Sequence, residues 1–530
     1  MTMKQRIPPF MLTVLILLFG LATPRPGSAQ PPHFTIPDPL QRFILYRYAA
    51  DTWQSFAAMT HPDTGLPADH VSADRVPAAY TSPTNIGVYL WSTLAARDLQ
   101  IISRGEAHNR IGQALATLAR LERHADSGQF YNWYDPTTGR KLTVWPISGD
   151  PLNPFLSSVD NAWLATALLM VAHAATPEQR YQAQAILNGM DFSCYYDPNA
   201  RGPEVNAGLM RGGFWTTADA PAYAGNFPKG NYCGKGPDVI YTGHHYGTLN
   251  SETRIISYVA IALGQVPAAH YFALWRTFPN TCDWSWQEMS APGVTRTYLG
   301  IEVYEGHYVY RDKRIVPSWG GSMFEALMPA LVVPEAQWGA QSWGVNHPLY
   351  VQAQIEHGLD EARYGYWGFS PAQNPEEGYR EWGVDPLGMD PGGYTSDQER
   401  TTVDDGFRDP AGAGYCSGRE PQPLPTAYGR GVVTPHAAFL ALEFAPQAAL
   451  DNLIWLQQNF GAYGWGGFHD AIEVATGRVA TSYLALDQGM IMAAISNALY
   501  PNRLKSYFTE GAVEARIRPL LTMEEFSAGP

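Results

Sequence analysis

The sequence predicts an all-α fold, an (α/α)6 toroid with long Gly/Pro/aromatic loops, and three observations point to it. Apolar residues recur at helical spacing along the whole chain, as in Ile111, Leu115, Leu118 and Leu121, which step by three and four onto one face. The stretches between the helices are not short turns: 191–247 and 365–432 are long and rich in Gly, Pro and aromatic residues, and long ordered loops usually carry function. Third, QFYNWYDPTTGRKLT leading to SSVDNAWLATALLMVAHA is similar to GGFHDAIEVATGRVA leading to SYLALDQGMIMAAISNA. Each runs from an aromatic and an acid through a Thr-Gly turn to an Asp that opens an alanine-rich helix, and DFSCYYDPNARG leading to NSETRIISYVAIALG is a weaker third copy. One helical hairpin cannot bury its own apolar face, so such copies predict a closed array of stacked hairpins. Ala165, Ala167, Ala493 and Ala494 suit crowded inner helices. The competing architecture is two separate helical domains joined near 190–250.

Residues 1–29 read as a signal peptide, with Lys4 and Arg6 at its start, an apolar core over 10–22 and a small-residue cleavage site at Gly27-Ser28-Ala29. The apolar core is shorter than the ~20 residues of a spanning helix, and Pro24 and Pro26 follow it. The mature chain is therefore expected to begin near Gln30, to be exported to the periplasm or the extracellular space, and to be free of the membrane. Helices are expected near 38–60, 84–102, 105–124, 160–175, 178–189, 251–263, 267–277, 321–332, 348–359, 436–459 and 487–499. The N-terminal half of the toroid is assigned to 30–250 and the C-terminal half to 251–520.

Composition narrows the partners. With 45% hydrophobic residues the chain can bury a sizeable core and is not disordered. A net charge of −14 repels phosphate backbones and anionic membranes, which argues against nucleic acid. A neutral polysaccharide or oligosaccharide fits better with 13% aromatic residues. Cys194, Cys233, Cys282 and Cys416 show no CxxC or Cys/His metal spacing; one or two disulfides of unassigned pairing are favoured over thiol chemistry. His244, His245 and His436 form no HExxH pattern, DPGGYTSDQERTTVDD lacks the EF-hand order, and no GxxxxGK or strand-borne GxGxxG is present. No cofactor and no metal are expected.

Inner helices of a toroid start at one rim, so acids at or just before helix starts, Asp160, Glu252, Asp470 and Asp487, are expected to converge on a central cleft. Taken singly, Asp160 and Asp487 are read as N-terminal caps, since a carboxylate there accepts backbone N–H bonds and complements the dipole. Glu252 lies at a helix start in YGTLNSETRIISYV, where capping or pairing with Arg254 competes with a catalytic role. Glycosidic cleavage needs a carboxylic acid to protonate the leaving oxygen and a carboxylate to activate water or attack the sugar. Further acids are Glu305, Glu325, Glu356, Glu381, Asp385, Asp404 and Asp405, and Glu325 and Glu356 sit on apolar helical stretches that suit buried structural acids. Trp319, Trp343, Tyr366, Trp367, Tyr379, Trp382 and Trp465 offer flat faces for sugar rings, and half of them are expected in the core.

WGGSMFEALMP, NHPLYVQAQIEHGL, YGYWGFSPA, YREWGVDPLGMDPGGY, VTPHAAFLALEFAPQAALDNL and YLALDQGMIMAAISNAL, in that order, resemble the bacterial glucoamylase-like family. That family includes endo-β-1,2-glucanases and is related to the transglycosylase domain of cyclic β-1,2-glucan synthases. In the N-terminal half, TSPTNIGVYLWSTLAARDL, FYNWYD and SSVDNAWLA resemble a domain of unknown function often fused to it. The resemblance implies an (α/α)6 barrel and activity on β-1,2-linked glucan. NSETRI is similar to the synthase element whose Glu is the acid/base, which implies Glu252 as general acid. The synthase element carrying the nucleophile is similar to GFSPA, where this chain has Ser370-Pro371 and no carboxylate. That departure implies inversion in place of a covalent intermediate. Asp470 is then the expected base, with Asp405 in reserve. Trp367, Tyr379, Trp382 and Trp465 are expected to hold the glycan, and Asp160, Trp319, Glu325, Tyr366 and Asp487 to line the cleft. The alternatives are a transglycosylase or polysaccharide lyase on the same fold, or a non-catalytic glycan-binding protein.

Overall fold

The computed structural model describes residues 38–530 except 203–204, 280, 283–285, 377, 391–401, 410, 413 and 424. Segment 1–29, expected to be a signal peptide, and most of the acidic run at 390–405 lie outside the described residues. Fifteen α-helices are described: α1 (Pro39–Met59), α2 (Pro83–Asp98), α3 (Arg104–Leu118), α4 (Ser158–Ala174), α5 (Pro177–Asn188), α6 (Arg254–Ala262), α7 (His270–Ala273), α8 (Met323–Leu327), α9 (Glu335–Trp338), α10 (Trp343–Glu356), α11 (Pro435–Leu440), α12 (Pro446–Asn459), α13 (Ala485–Leu499), α14 (Arg503–Thr509) and α15 (Ala512–Met523). None is long and apolar enough to cross a membrane.

The helices sort into two kinds. In α2, α4 and α13 nearly every residue is buried, and a helix that is apolar all round must be enclosed by others. By contrast α3 and α5 bury one face only. Packing follows that division: α2 lies against α4 and α13, α4 against α6, and α11 against α8 and α13. Arg254 of α6 joins α8 by donating to the carbonyls of Glu325 and Ala326, so α2, α4, α6, α8, α11 and α13 make a continuous circuit of neighbours. Outside it, α1 backs α13, α3 backs α2, α5 backs α4, α10 backs α8 and α12 backs α11. The helices delivered by the similar sequence segments, α4, α13 and α6, are all members of the circuit.

Close approach there requires small residues. A Cβ added at Gly87 of α2 would lie 2.9 Å from the Trp163 carbonyl oxygen, and one at Gly489 of α13 would lie 2.5 Å from the Cβ of Val88. Starts are set locally: Asp38, Ser82 and Ser157 cap α1, α2 and α4 with side-chain oxygens, and Pro opens α1 and α2.

Three expectations need correction. The fold is helix-rich and not purely helical, because the long loops are built from short strands, including an antiparallel four-stranded sheet ordered 156–157, 213–216, 239–241, 229–230. The helix expected over 436–459 is two, α11 and α12, parted by a 3-10 turn over Ala441–Glu443 and by Pro446. That expected over 267–277 shrinks to α7, while α9, α14 and α15 were not anticipated; α15 carries Pro519 in its interior, which weakens its pattern. All four cysteines are paired: Cys194–Cys233 staples the loop at 191–247, and Cys282–Cys416 ties together two loops far apart in sequence.

Candidate active site

Glu252 stands just before α6, with Thr253 as the cap residue, and its side chain neither caps the helix nor pairs with Arg254. Arg254 instead gives two hydrogen bonds to Glu335, at 2.7 and 2.9 Å, inside a buried network with His347 and Tyr258. The Glu252 carboxyl is buried and receives the indole N–H of Trp163 at 2.6 Å. Trp163 is three residues beyond Asp160 on α4, the spacing that puts both on one helical face. Glu325, in the first turn of α8, accepts the Glu252 backbone N–H at 2.8 Å and the Ser251 hydroxyl at 2.7 Å. Burial first, and then the negative charges of Glu325 and Asp160, push the Glu252 carboxyl well above the usual carboxylate range, although the Trp163 bond opposes them. These surroundings favour the protonated form of the Glu252 carboxyl. The Tyr246 hydroxyl lies among Glu252, Asp160 and Glu325 and is pushed up by burial and by those charges.

A second set of acids is carried by other elements. Asp470 follows the short strand at 467–468, and Asp487 is in the first turn of α13. Carboxyl oxygens of Asp470 and Asp487 lie within 4.8 Å of one another, and each group shifts the ionisation of the other. Burial raises both, that of Asp487 to about 6 and that of Asp470 further because the Asp487 charge adds to it. The Gln373 backbone N–H also donates to Asp470. His436, near the start of α11, lies 3.3 Å from Asp487; burial, opposed by the Asp470 charge, drops its imidazole to about 4, so it is neutral. His436, Asp470 and Asp487 hold ligand-type atoms within 4.8 Å of one another, a spacing open to a metal ion, but the ring nitrogens of His436 face the hydroxyls of Thr434 at 2.6 Å and Ser370 at 2.9 Å. Ser370 is the position where the resemblance lacks a carboxylate, so Asp470 and Asp487 stand one side chain away from it.

The two sets are linked electrostatically through shared neighbours. The Tyr379 hydroxyl lies among Asp487, Asp470, Glu381 and Glu325, and the Tyr379 residue is 56% exposed. Asp69 supplies a charge felt by both Asp160 and Asp487, and Thr84 bonds Asp160 at 2.5 Å. The structure therefore brings together Glu252, Asp160, Asp470, Asp487, Glu325 and Tyr379.

Other expected residues fall elsewhere. Neither Asp160 nor Asp487 is a cap: Ser157 caps α4, and α13 has no side-chain cap. Asp405 is 73% exposed and held in ion pairing with Arg408, whose guanidinium keeps its carboxyl below the usual range, so it is not a poised base. Trp367 and Trp382 are buried and present no face to a ligand, as is Trp343. Tyr366 packs edge-on against Phe460. Trp465 is partly exposed, but the Arg75 guanidinium covers one face at 3.9 Å, while Trp319 is partly exposed and meets Trp286 edge-on. Trp163, Tyr246 and Asp69 were missed; the spacing of Trp163 from Asp160 was the available signal.

Fold and site together define a helix-rich protein with an acid-lined cleft framed by partly exposed aromatic rings. Residues 250–509 match the family described as "putative glucoamylase", and residues 47–195 match one described as a protein of unknown function. Over residues 250–509 the chain is thus similar to that glucoamylase-like family, as its motifs implied. It is 25% identical over 587 aligned positions to the cyclic β-(1,2)-glucan synthase NdvB of Rhizobium meliloti (strain 1021), covering 88% of this chain but only 18% of the length of that relative. Among solved structures it is similar to the endo-β-1,2-glucanase of Chitinophaga pinensis in complex with sophorotriose and glucose, at 15% identity, 90% and 98% coverage of the two chains and a TM-score of 0.58. It is also similar to the endo-β-1,2-glucanase of Talaromyces funiculosus with sophorose, at 11% identity, 92% and 88% coverage and a TM-score of 0.60. At these identities the likeness concerns the fold.

Proposed function

We propose that this chain is an exported glycoside hydrolase that cleaves β-1,2-glucan or a related β-glucan with inversion, and that the circuit of six helices is the inner ring of an (α/α)6 toroid. The observation that carries the proposal is a buried Glu252 carboxyl whose surroundings favour its protonated form, together with the close pair of buried carboxyls of Asp470 and Asp487. Glu252 gives its proton to the departing glycosidic oxygen as the C–O bond breaks. The pair takes a proton from a water whose oxygen bonds to the anomeric carbon from the other side, so a β-linkage yields an α-anomer. The lack of a carboxylate at Ser370 supports water, not the protein, as nucleophile. The names of the similar proteins support a β-1,2-linked glucan as substrate.

Transglycosylation is the second reading, favoured by the likeness to a synthase. A lyase acting on uronates is disfavoured by the acids that line the cleft, which repel a substrate carboxylate. The deciding experiment incubates the protein with linear β-1,2-glucan and with other β-glucans and follows product size and anomeric configuration by NMR. α-Anomers appearing first, with new reducing ends, are expected. β-Anomers first would overturn inversion, larger or cyclic products would favour transfer, and binding without cleavage would leave a glycan-binding protein.

A further inference from the structure

The residues of the N-terminal half at the cleft rim include three aromatic rings that no part of the proposed mechanism uses. Tyr80, Trp133 and Trp145 meet pairwise, with centroids 5.4 Å apart for Tyr80 and Trp133, 4.7 Å for Tyr80 and Trp145, and 5.5 Å for the two tryptophans. All three are only partly buried, and the same surface exposes Val144 and Ile147. Scattered apolar residues on a surface need no explanation, but three touching rings with apolar neighbours form a patch.

Backbone pairing fixes the patch. Thr81 and Tyr134 exchange both backbone hydrogen bonds, at 2.9 and 3.0 Å, which sets Tyr80 beside Trp133. Residues 123–151 then run through three successive tight turns closed by bridges Arg123–Phe130, Tyr134–Lys141 and Val144–Pro151, and Leu142 donates to the Trp133 carbonyl. Trp133 and Trp145 are thereby presented from adjacent turns. The interplanar angle between them is 78°, which leaves a corner with two apolar walls instead of a stacked pair.

The corner is one residue from the acids. The Tyr80 hydroxyl bonds to Asp69, which also accepts from the Asn85 side chain at 2.9 Å. The Asp69 carbonyl accepts the backbone N–H of Ala485 at the start of α13, two residues before Asp487. Tyr80, and with it the two tryptophans, is thus joined through Asp69 to the start of α13, the helix that carries Asp487.

We propose that Tyr80, Trp133 and Trp145 form a glucosyl-binding subsite, contributed by the N-terminal half, that holds a sugar unit remote from the bond being cleaved. Apolar walls with polar groups only at their base match the C–H faces of neutral glucosyl units and would not select charged sugars. This inference rests on the glycan-cleaving function proposed above.

The test measures calorimetric binding of β-1,2-gluco-oligosaccharides of increasing length to full-length Glu252→Gln protein, with and without Trp145→Ala. The expected result is about tenfold weaker binding of the long oligosaccharides, from lost stacking, with the disaccharide unaffected. Trp145→Phe is expected to restore most of the affinity and also to lose part of the change in indole emission on binding, which guards against a folding defect in the alanine variant. Equal loss at every length, or none at any, overturns the subsite while leaving the hydrolase intact. Failure of the Glu252→Gln protein itself to bind any β-1,2-glucan overturns the parent function, and the subsite with it.

Discussion

Two corners of the cleft use the same functional group in opposite ways. Glu252 is a single carboxyl with one strong donor, the Trp163 indole, and a like-charged neighbour, Glu325. Asp470 and Asp487 are two buried carboxyls close together beside a neutral His436, and burial raises both. Under the proposed mechanism the first corner releases a proton and the second accepts one. Burial raises the acids at both corners, and what separates their roles is the number of carboxyls at each.

Exchanging Glu252 for Gln removes the transferable proton and leaves the shape, and turnover of β-glucan is expected to fall by about 10⁴-fold, the upper range for general acid catalysis, with an unchanged melting curve. Retained activity in a folded variant would end the comparison, because the first corner would then have no chemical part.

The next largest effect tests whether the Glu252 corner depends on the network beneath it. Burial opposes ionisation of Glu335, yet Arg254 and His347 hold its carboxyl at about 2. Its ionised form therefore stabilises the fold above the unfolded value near 4.5, and that contribution is lost as pH falls toward 2. Glu335→Gln leaves the buried Arg254 charge uncompensated and is expected to cost about 3 to 5 kcal/mol in denaturant unfolding. A cost below about 1 kcal/mol, the range of surface pairs, would show that Arg254 needs no partner.

Asp470→Asn is expected to slow turnover by about 10²-fold. In the native protein the acid limb of the rate profile should lie near the value of about 6 held by Asp487, with activity lost as pH drops through it and the pair takes a second proton. An acid limb near 4 would detach the pair from the chemistry. The smallest change expected is for Trp163→Phe. The indole bond lowers the Glu252 value, so its loss should move the basic limb to higher pH while turnover falls only a few-fold; a limb moving to lower pH would contradict the assignment.

Much of the helix set was legible because burial writes itself into sequence: α2, α4 and α13 are apolar all round, and no other pattern explains such runs in a charged chain. Boundaries failed where proline decided them, as at Pro446. The acids were legible from their place at helix starts and, for Glu252, from the NSETRI resemblance. The aromatic platform was not. Trp367 and Trp382 sit beside glycines as exposed rings often do, yet Gly368 and Gly383 serve close backbone contacts, with added Cβ atoms meeting Thr434 and Gly320 carbonyl oxygens at 3.1 and 1.9 Å, and the rings turn inward. Asp69 and Trp145 carry no local signature, since what makes them part of the cleft is pairing with residues remote in sequence.

The contact between α2 and α13 bears on how the protein comes to be active at all. Trp91 donates to the carbonyl of Gly489 across 398 residues of chain, and Asp487 lies on the same helix two residues earlier. Such long-range closure is slow relative to local helix formation, because the entropy of a large loop is lost before the contact forms. Folding intermediates that have built α1 to α12 but have not docked α13 would hold Glu252 in place and lack half of the Asp470–Asp487 pair. Under the proposed mechanism, recovery of catalysis during refolding is therefore expected to trail recovery of helical signal.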